Sequence, residues 1–229
     1  KAYVETEGLN QLKQVLEEKL AEYNESKNVM NLVLFSQAIQ HVSRIVRILE
    51  LGVGNALLIG VGGSGKQSLA KLAAFICEFE MEQLVVTSSF NLNDLRNILS
   101  DIYRKVAKPS APQRIFMLTD SQIKNENFLI PINDMLTQGL IPDLFPKDES
   151  DAMIQGVRNE AKACGVNINE IEQLTAFFFQ KMRNNLKLIL CFSPMGQNFR
   201  KQSRKFPGII NNTSMDWFHS WPKDALLGV

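Results

Sequence analysis

Four glycines fall within six residues, at Gly60, Gly62, Gly63 and Gly65, and Lys66 follows them directly. So dense a glycine run suits neither a helix interior nor a strand. Before it stands Ala-Leu-Leu-Ile at 56–59, a continuous apolar run of the kind that forms a buried strand. After it, helical spacing runs to about Phe79. Strand, tight loop and helix in this order have one well-defined use. The glycines let successive backbone N–H groups turn inward around an anion, where side chains would obstruct them. The helix start offers unpaired N–H groups and the positive end of its dipole. Lys66 adds a mobile cation. The stretch therefore reads as a phosphate-binding loop.

The rest of the chain alternates in the same manner. Leu9, Leu12, Leu16, Leu20 and Tyr23 mark a first helix. The segment 32–35 is short and extended, and Ser36 is expected to cap a second helix carrying Ile39, Val42, Ile45, Val46 and Leu49. Further strands are expected at 84–87, at 115–119, at 186–192 and at 213–217. Helices are expected through Leu92 to Ile102, through Phe128 to Leu136 with Gly139 as the stop, and at 150–163 and 169–183. Alternating strands and helices predict an α/β domain whose parallel sheet is covered on both faces. The expected division is an N-terminal helical segment, 1–54, packed on a core of 55–221, with 222–229 beginning a further subdomain. The chain starts at Lys1, without methionine, and reads as a piece of something longer.

Composition narrows the function. Lys plus Arg number 25 against 24 Asp plus Glu, so the net charge of +1 gives no global pull toward nucleic acid or membrane. Hydrophobic residues make up 45% and charged residues 21%, as in an ordinary folded domain. Cys77, Cys164 and Cys191 are widely spaced without a CxxC pair, which argues against a disulfide frame or zinc site and fits a reducing compartment. No apolar run reaches membrane-spanning length. His41 and His219 stand alone and read as structural, and Trp217 and Trp221 read as packing anchors.

The loop matches the first seven positions of the Walker A pattern and departs at the eighth. Where Ser or Thr would coordinate Mg²⁺, the chain has Gln67, followed by Ser68. Adjacent helical residues point about 100° apart, so Ser68 does not simply substitute. The run 114–120 resembles Walker B, an apolar strand delivering Asp120 beside the metal. The next residue, where hydrolysing relatives of this architecture carry a glutamate that orients water, is Ser121. A hydroxyl is no useful base near neutral pH. Glu126 is either a substitute base or a solvated first-turn acid. Both departures fall on the metal-and-water half of the chemistry, while the phosphate-gripping half is intact. The metal ligands on offer are Asp120 and Gln67, so Mg is weakly placed, and no residue is assigned a catalytic role.

Ser193, at the end of the fourth strand, is either a polar sensor of the terminal phosphate or part of a Ser-Pro turn. Arg200 and Arg204, in a basic run, have three readings: fingers reaching a neighbour's phosphate, a solvated helix end, or nucleic-acid contact. A competent ATPase with another base and a nucleic-acid remodeller are therefore the alternative functions. No NKxD motif points to guanine, and no LSGGQ signature is present.

With these residues in hand, the chain resembles the fourth AAA+ module of dynein heavy chains. The resemblance rests on Asn-Leu-Val-Leu-Phe at 31–35, the run from Gly54 to Leu69, Thr-Asp-Ser-Gln-Ile at 119–123, Ser-Pro-Met-Gly at 193–196 and Asp-Trp-Phe-His-Ser-Trp-Pro at 216–222. Gln in place of Ser or Thr after the loop lysine is a habit of that module. The missing glutamate after Asp120 looks axonemal rather than cytoplasmic. The resemblance implies an AAA+ P-loop fold with its lid subdomain, starting near Pro222, mostly missing. It also implies a ring of six modules in one polypeptide, acting on microtubules through other parts of the motor, in the cytoplasm and the cytoskeleton of the cilium axoneme. ATP or ADP would be held by Leu32, Val33 and Leu34 at the adenine and by Gly60, Gly62, Gly63, Ser64, Gly65, Lys66, Gln67 and Ser68 at the phosphates. Asp120 would face the metal and Ser193 would sense phosphate, while Arg200 and Arg204 would reach the preceding module. Partners would be the neighbouring modules of the same heavy chain, with no membrane and no nucleic acid.

Overall fold

The computed structural model describes residues 5–194, 197–219 and 221. Five strands form one parallel sheet: β1 (Ala56–Gly60), β2 (Glu80–Gln83), β3 (Arg114–Thr119), β4 (Leu186–Phe192) and β5 (Ser214–Phe218), in the order β2-β3-β4-β1-β5. The central strands β1 and β4 are buried along their whole length. Side chains of β1, β3 and β4 alternate between two cores. Leu57, Ile59, Phe116, Leu118 and Leu190 join one, and Ala56, Leu58, Met117, Ile189 and Cys191 join the other. That period of two with both faces apolar is what a sheet covered on both sides requires.

The first core is closed by α4 (Leu92–Ala107), α5 (Leu129–Gln138) and α8 (Ile171–Asn185), with α6 (Lys147–Gly156) and α7 (Arg158–Ala163) outside them. The second is closed by α1 (Leu9–Ser26), α2 (Ser36–Glu50) and α3 (Lys66–Ile76). The two N-terminal helices are not equal partners. Helix α2 buries Ile39, Val42, Ile45 and Leu49 at 1% exposure or less, a gross contribution of roughly 6–12 kcal/mol. Helix α1 buries Leu16 alone. α2 is thus part of the core, and α1 lies over it. No described helix is long and apolar enough to cross a membrane.

Several expectations are corrected. The second strand lies at Glu80–Gln83, not at 84–87. Alternation there is disguised, because Glu80 and Glu82 are answered by Arg114 and Lys105 rather than by apolar neighbours. Pairing stops where the Gln122 side chain takes over: its Nε2 donates to the Leu84 carbonyl at 2.8 Å and its Oε1 accepts from the Thr119 N–H at 2.8 Å. Val85 is left 80% exposed. Ser36 makes no capping bond, and Phe35 stands at the N-cap of α2. The helix expected over 150–163 starts at Lys147 and breaks at Val157, between α6 and α7. Two further helices, α9 (Gln197–Lys205) and the short α10 (Gly208–Asn211), connect β4 to β5. Gly139 ends α5 as expected, in the left-handed region at φ 81°. The start of a further subdomain at 222–229 lies outside the described residues, as do Met195 and Gly196.

Candidate functional site

The glycine loop leaves β1 and enters α3, at the edge of the sheet where β3 and β4 also end. Gly65 is the N-cap of α3, in the left-handed region at φ 81°, and no side chain caps the helix. The first-turn N–H groups of α3 are therefore left for an anion. Gly60 is required for a different reason. A Cβ there would stand 2.6 Å from Phe218 Cβ and 2.9 Å from Ser64 Oγ, so only glycine passes between loop and β5. At Gly62 and Gly63 a Cβ would meet nothing within 4 Å; these residues face open space.

Lys66 folds over its own loop. Its ammonium donates to the carbonyls of Gly60 at 2.6 Å and Val61 at 2.8 Å, and to Ser64 Oγ at 3.1 Å. Ser64 is buried at 5% exposure. Burial pulls the Lys66 pKa down, against the opposing pull of nearby Cys191 and Asp120. The Cys191 thiol is itself pushed up to about 12 by burial, so near neutral pH it is an uncharged neighbour.

Asp120 bridges two strand ends. Its Oδ1 accepts from the Ser121 N–H at 2.9 Å and its Oδ2 from the Ser193 N–H at 2.8 Å. Ser121 Oγ lies 2.9 Å from Thr119 Oγ1. Glu126 accepts from Lys205 Nζ at 2.7 Å, and that bond and charge hold its carboxyl below the usual range. Among the described residues no group of three or more His, Cys, Asp or Glu could hold a metal ion. The donors present for Mg are thus one carboxylate, Asp120, and the exposed amide of Gln67. Such a set fits a magnesium ion only when phosphate oxygens and water complete its octahedron.

Beside Ser64 and Gly65 opens a narrow apolar cleft with about 10 Å³ of free space, lined by Leu32, Phe35, Ala38, His41, Phe218 and Trp221 among others. Of the three residues expected at an adenine, Leu32 lines this cleft, whereas Leu34 turns into the core with α1 and α2. Val33 is half-buried, and the adjacent Phe35 lines the cleft instead. Trp221 packs against Phe35 with ring centroids 5.3 Å apart, and its Cζ2 lies 3.6 Å from where a Cβ on Gly65 would stand. Ser68 points into a groove with Tyr23, Lys71 and Phe75. Arg200 and Arg204 are exposed, one turn apart on α9. Trp217 lies 49% exposed on β5 and is not a core anchor.

His41 is not solitary. Its Nδ1 lies 2.7 Å from Asp216 Oδ2, and Arg44 donates to Asp216 Oδ1 at 3.0 Å. The imidazole stacks on Phe218, with centroids 3.9 Å apart and planes at 10°. The sequence held two signals for this cluster. His41 interrupts the apolar stripe of α2, and Asp216 interrupts a short strand; only the fold brings them together.

A parallel sheet in the order β2-β3-β4-β1-β5, with a glycine loop running from β1 into α3 and an acidic residue at the end of β3, defines a P-loop domain of the AAA+ type. The fold agrees with that of a solved structure titled S. cerevisiae Hsp104-ADP complex, at a TM-score of 0.50 and 11% identity over 93% of this chain and 32% of that one. Residues 30–229 match the family described as P-loop containing dynein motor region D4, and the chain belongs to that family. It is 50% identical over 218 residues to the dynein beta chain of the flagellar outer arm of Chlamydomonas reinhardtii. It is 48% identical over 218 residues to dynein axonemal heavy chain 11 of Sus scrofa, and 46% identical over 227 residues to dynein axonemal heavy chain 17 of Homo sapiens. These matches cover 95%, 95% and 99% of this chain and 5% of each relative.

Proposed function

We propose that this domain is a regulatory nucleotide-binding module of an axonemal dynein heavy chain, holding ATP or ADP with slow or absent turnover. The observation that carries the reading is the asymmetry around Asp120. On one side lie the uncapped start of α3, the open Gly62 and Gly63 and the Lys66 ammonium. On the other, the position beside Asp120 holds Ser121, whose hydroxyl contacts Thr119, and Glu126 is tied to Lys205. A carboxylate engaged in this way is a poor acceptor of a proton from water.

In this reading the loop amides and Lys66 grip phosphate, Leu32 and Phe35 border the base, and Asp120 with Gln67 and phosphate oxygens would hold magnesium. A metal there would screen the phosphate charges. Ser193 would report the terminal phosphate to β4. Arg200 and Arg204 pair with no acid among the described residues and are suited to the preceding module of the same heavy chain. The motor would act on microtubules, through other parts of the chain, in the cilium axoneme. The test is a thermal-shift series with ATP and ADP beside a steady-state turnover assay on the purified chain. Stabilisation by nucleotide without turnover supports the module; no shift removes the binding claim, and brisk turnover removes the regulatory one.

A further inference from the structure

We propose that the outer edge of β5 is a docking strip for an extended segment from elsewhere in the same heavy chain, which pairs with it as a sixth strand. The proposal takes from the reading above only that the domain is part of a heavy chain. It does not depend on nucleotide binding.

Strand β5 ends the sheet, and among the described residues β1 is its one strand neighbour. The Ser214 N–H donates to the Asn55 carbonyl at 2.8 Å, and Ser214 stands in register with Ala56. Backbone groups alternate in direction along a strand, so Ser214, Asp216 and Phe218 face β1. The N–H and C=O groups of Met215 and Trp217 point outward. Their side chains are 48% and 49% exposed, and Asp216, the one charged residue of the strand, points inward at 3% exposure. Folded proteins blunt such an edge with charge, because it invites pairing. The opposite edge of the sheet is blunted in that way: β2 carries Glu80 and Glu82. The β5 edge is left open.

That edge also borders a groove with about 370 Å³ of free space, walled on one side by Gln37, Gln40 and Arg44 of α2. The Arg44 guanidinium gives one bond to Asp216 through Nη1, and the side chain stays 53% exposed. A strand laid along β5 turns alternate side chains toward α2 and toward the opposite face. The two walls therefore define the occupant. It is apolar at every second residue, over Met215 and Trp217, and polar between them, with a carboxylate opposite Arg44. Outward backbone groups spaced two residues apart match an extended chain, whereas a helix has already spent its own. A second copy fits less well, since antiparallel pairing of two β5 edges sets both α2 helices on one face and brings Arg44 toward Arg44. This chain covers 5% of each relative, so such a heavy chain has ample sequence to supply the strand.

The test is hydrogen exchange resolved to single amides, on the 229-residue chain and on the intact heavy chain that contains it. In the 229-residue chain the Met215 and Trp217 amides should exchange fast, while Asp216 and Phe218, bonded to β1, exchange slowly. In the intact heavy chain all four should be slow, with Met215 and Trp217 slowed by about a hundredfold or more. One segment outside the 229 residues should show slow amides at alternate positions. Met215→Lys, at a half-exposed position, should restore fast exchange at Trp217 and in that segment. Asp216 staying slow in the variant would show that β5 itself remains folded. Fast Met215 and Trp217 amides in the intact heavy chain would overturn the proposal, as would slow ones with no alternating segment to match. Protection seen in the 229-residue chain and lost on dilution would overturn it in favour of a second copy. The measurement is made without nucleotide, so its failure leaves the phosphate loop's role standing.

Discussion

The carboxylate of Asp120 accepts the backbone N–H of Ser193 at 2.8 Å, joining the ends of two adjacent parallel strands across the floor of the site. Its other oxygen holds the N–H of Ser121. The residue expected at the metal is therefore also a brace. Asp120→Ala should lower the stability of the nucleotide-free chain by about 1–2 kcal/mol, because two charge-assisted bonds are lost at a solvent-accessible position. Asp120→Asn, which keeps one acceptor oxygen, should cost less. Urea melts of the two variants decide this; equal midpoints for Asp120→Ala and wild type would show that the brace is immaterial.

Two loop glycines should part company. Gly60→Ala drives a methyl into Phe218 and Ser64 and should destabilise by about 1–3 kcal/mol. Gly62→Ala has room around it, so thermal stability without nucleotide should be unchanged while ADP affinity falls. A Gly60→Ala protein melting with the wild type would contradict the close approach of loop and β5.

Lys66→Ala should abolish the nucleotide-dependent stabilisation, which at 100 times Kd is about 2.7 kcal/mol in the wild-type chain. Differential scanning fluorimetry with and without ADP reads it directly. A shift that survives the substitution would place the bound phosphate away from this loop.

Lys187 is 1% exposed and donates to the carbonyls of Leu51 and Gly52 with no acidic partner among the described residues, and burial lowers its pKa to about 8. Since the unfolded chain holds this proton up to the ordinary lysine range near 10.5, the unfolded state binds more protons between those values, and stability rises with pH across that window. The contribution is complete above the upper value and is lost as pH falls through about 8. Melts from pH 7 to 10 should show the rise in the wild type and a flatter profile for Lys187→Met. Parallel profiles would mean that the lysine titrates normally.

Glu126→Gln should leave any residual ATP turnover unchanged, because the carboxyl is already committed to Lys205 and held ionised. Loss of turnover in that variant would identify Glu126 as the base after all.

The sequence disclosed what local chemistry alone decides. β1, β3 and β4 were legible because buried parallel strands are continuous apolar runs, and the phosphate loop because its glycines have no other use. β2 was misplaced by four residues because it is an edge strand whose Glu80 and Glu82 are satisfied by Arg114 and Lys105, while the more apolar 84–87 is held as a loop by Gln122. The break at Val157 follows directly on Gly156, a glycine that the helical pattern on either side runs across. The His41–Asp216 pair was invisible for a different reason: 175 residues separate its members, and nothing short of the fold brings them to 2.7 Å.

The self-folded ammonium of Lys66 has a bearing on what the loop will ignore. A lysine whose three N–H bonds already end on Gly60, Val61 and Ser64 is not a bare charge offered to passing chloride or acetate. An incoming anion must replace three oxygens at once, which a single monovalent ion cannot do and a chain of phosphates can. On the nucleotide-binding reading proposed above, selection against small anions would begin at this lysine.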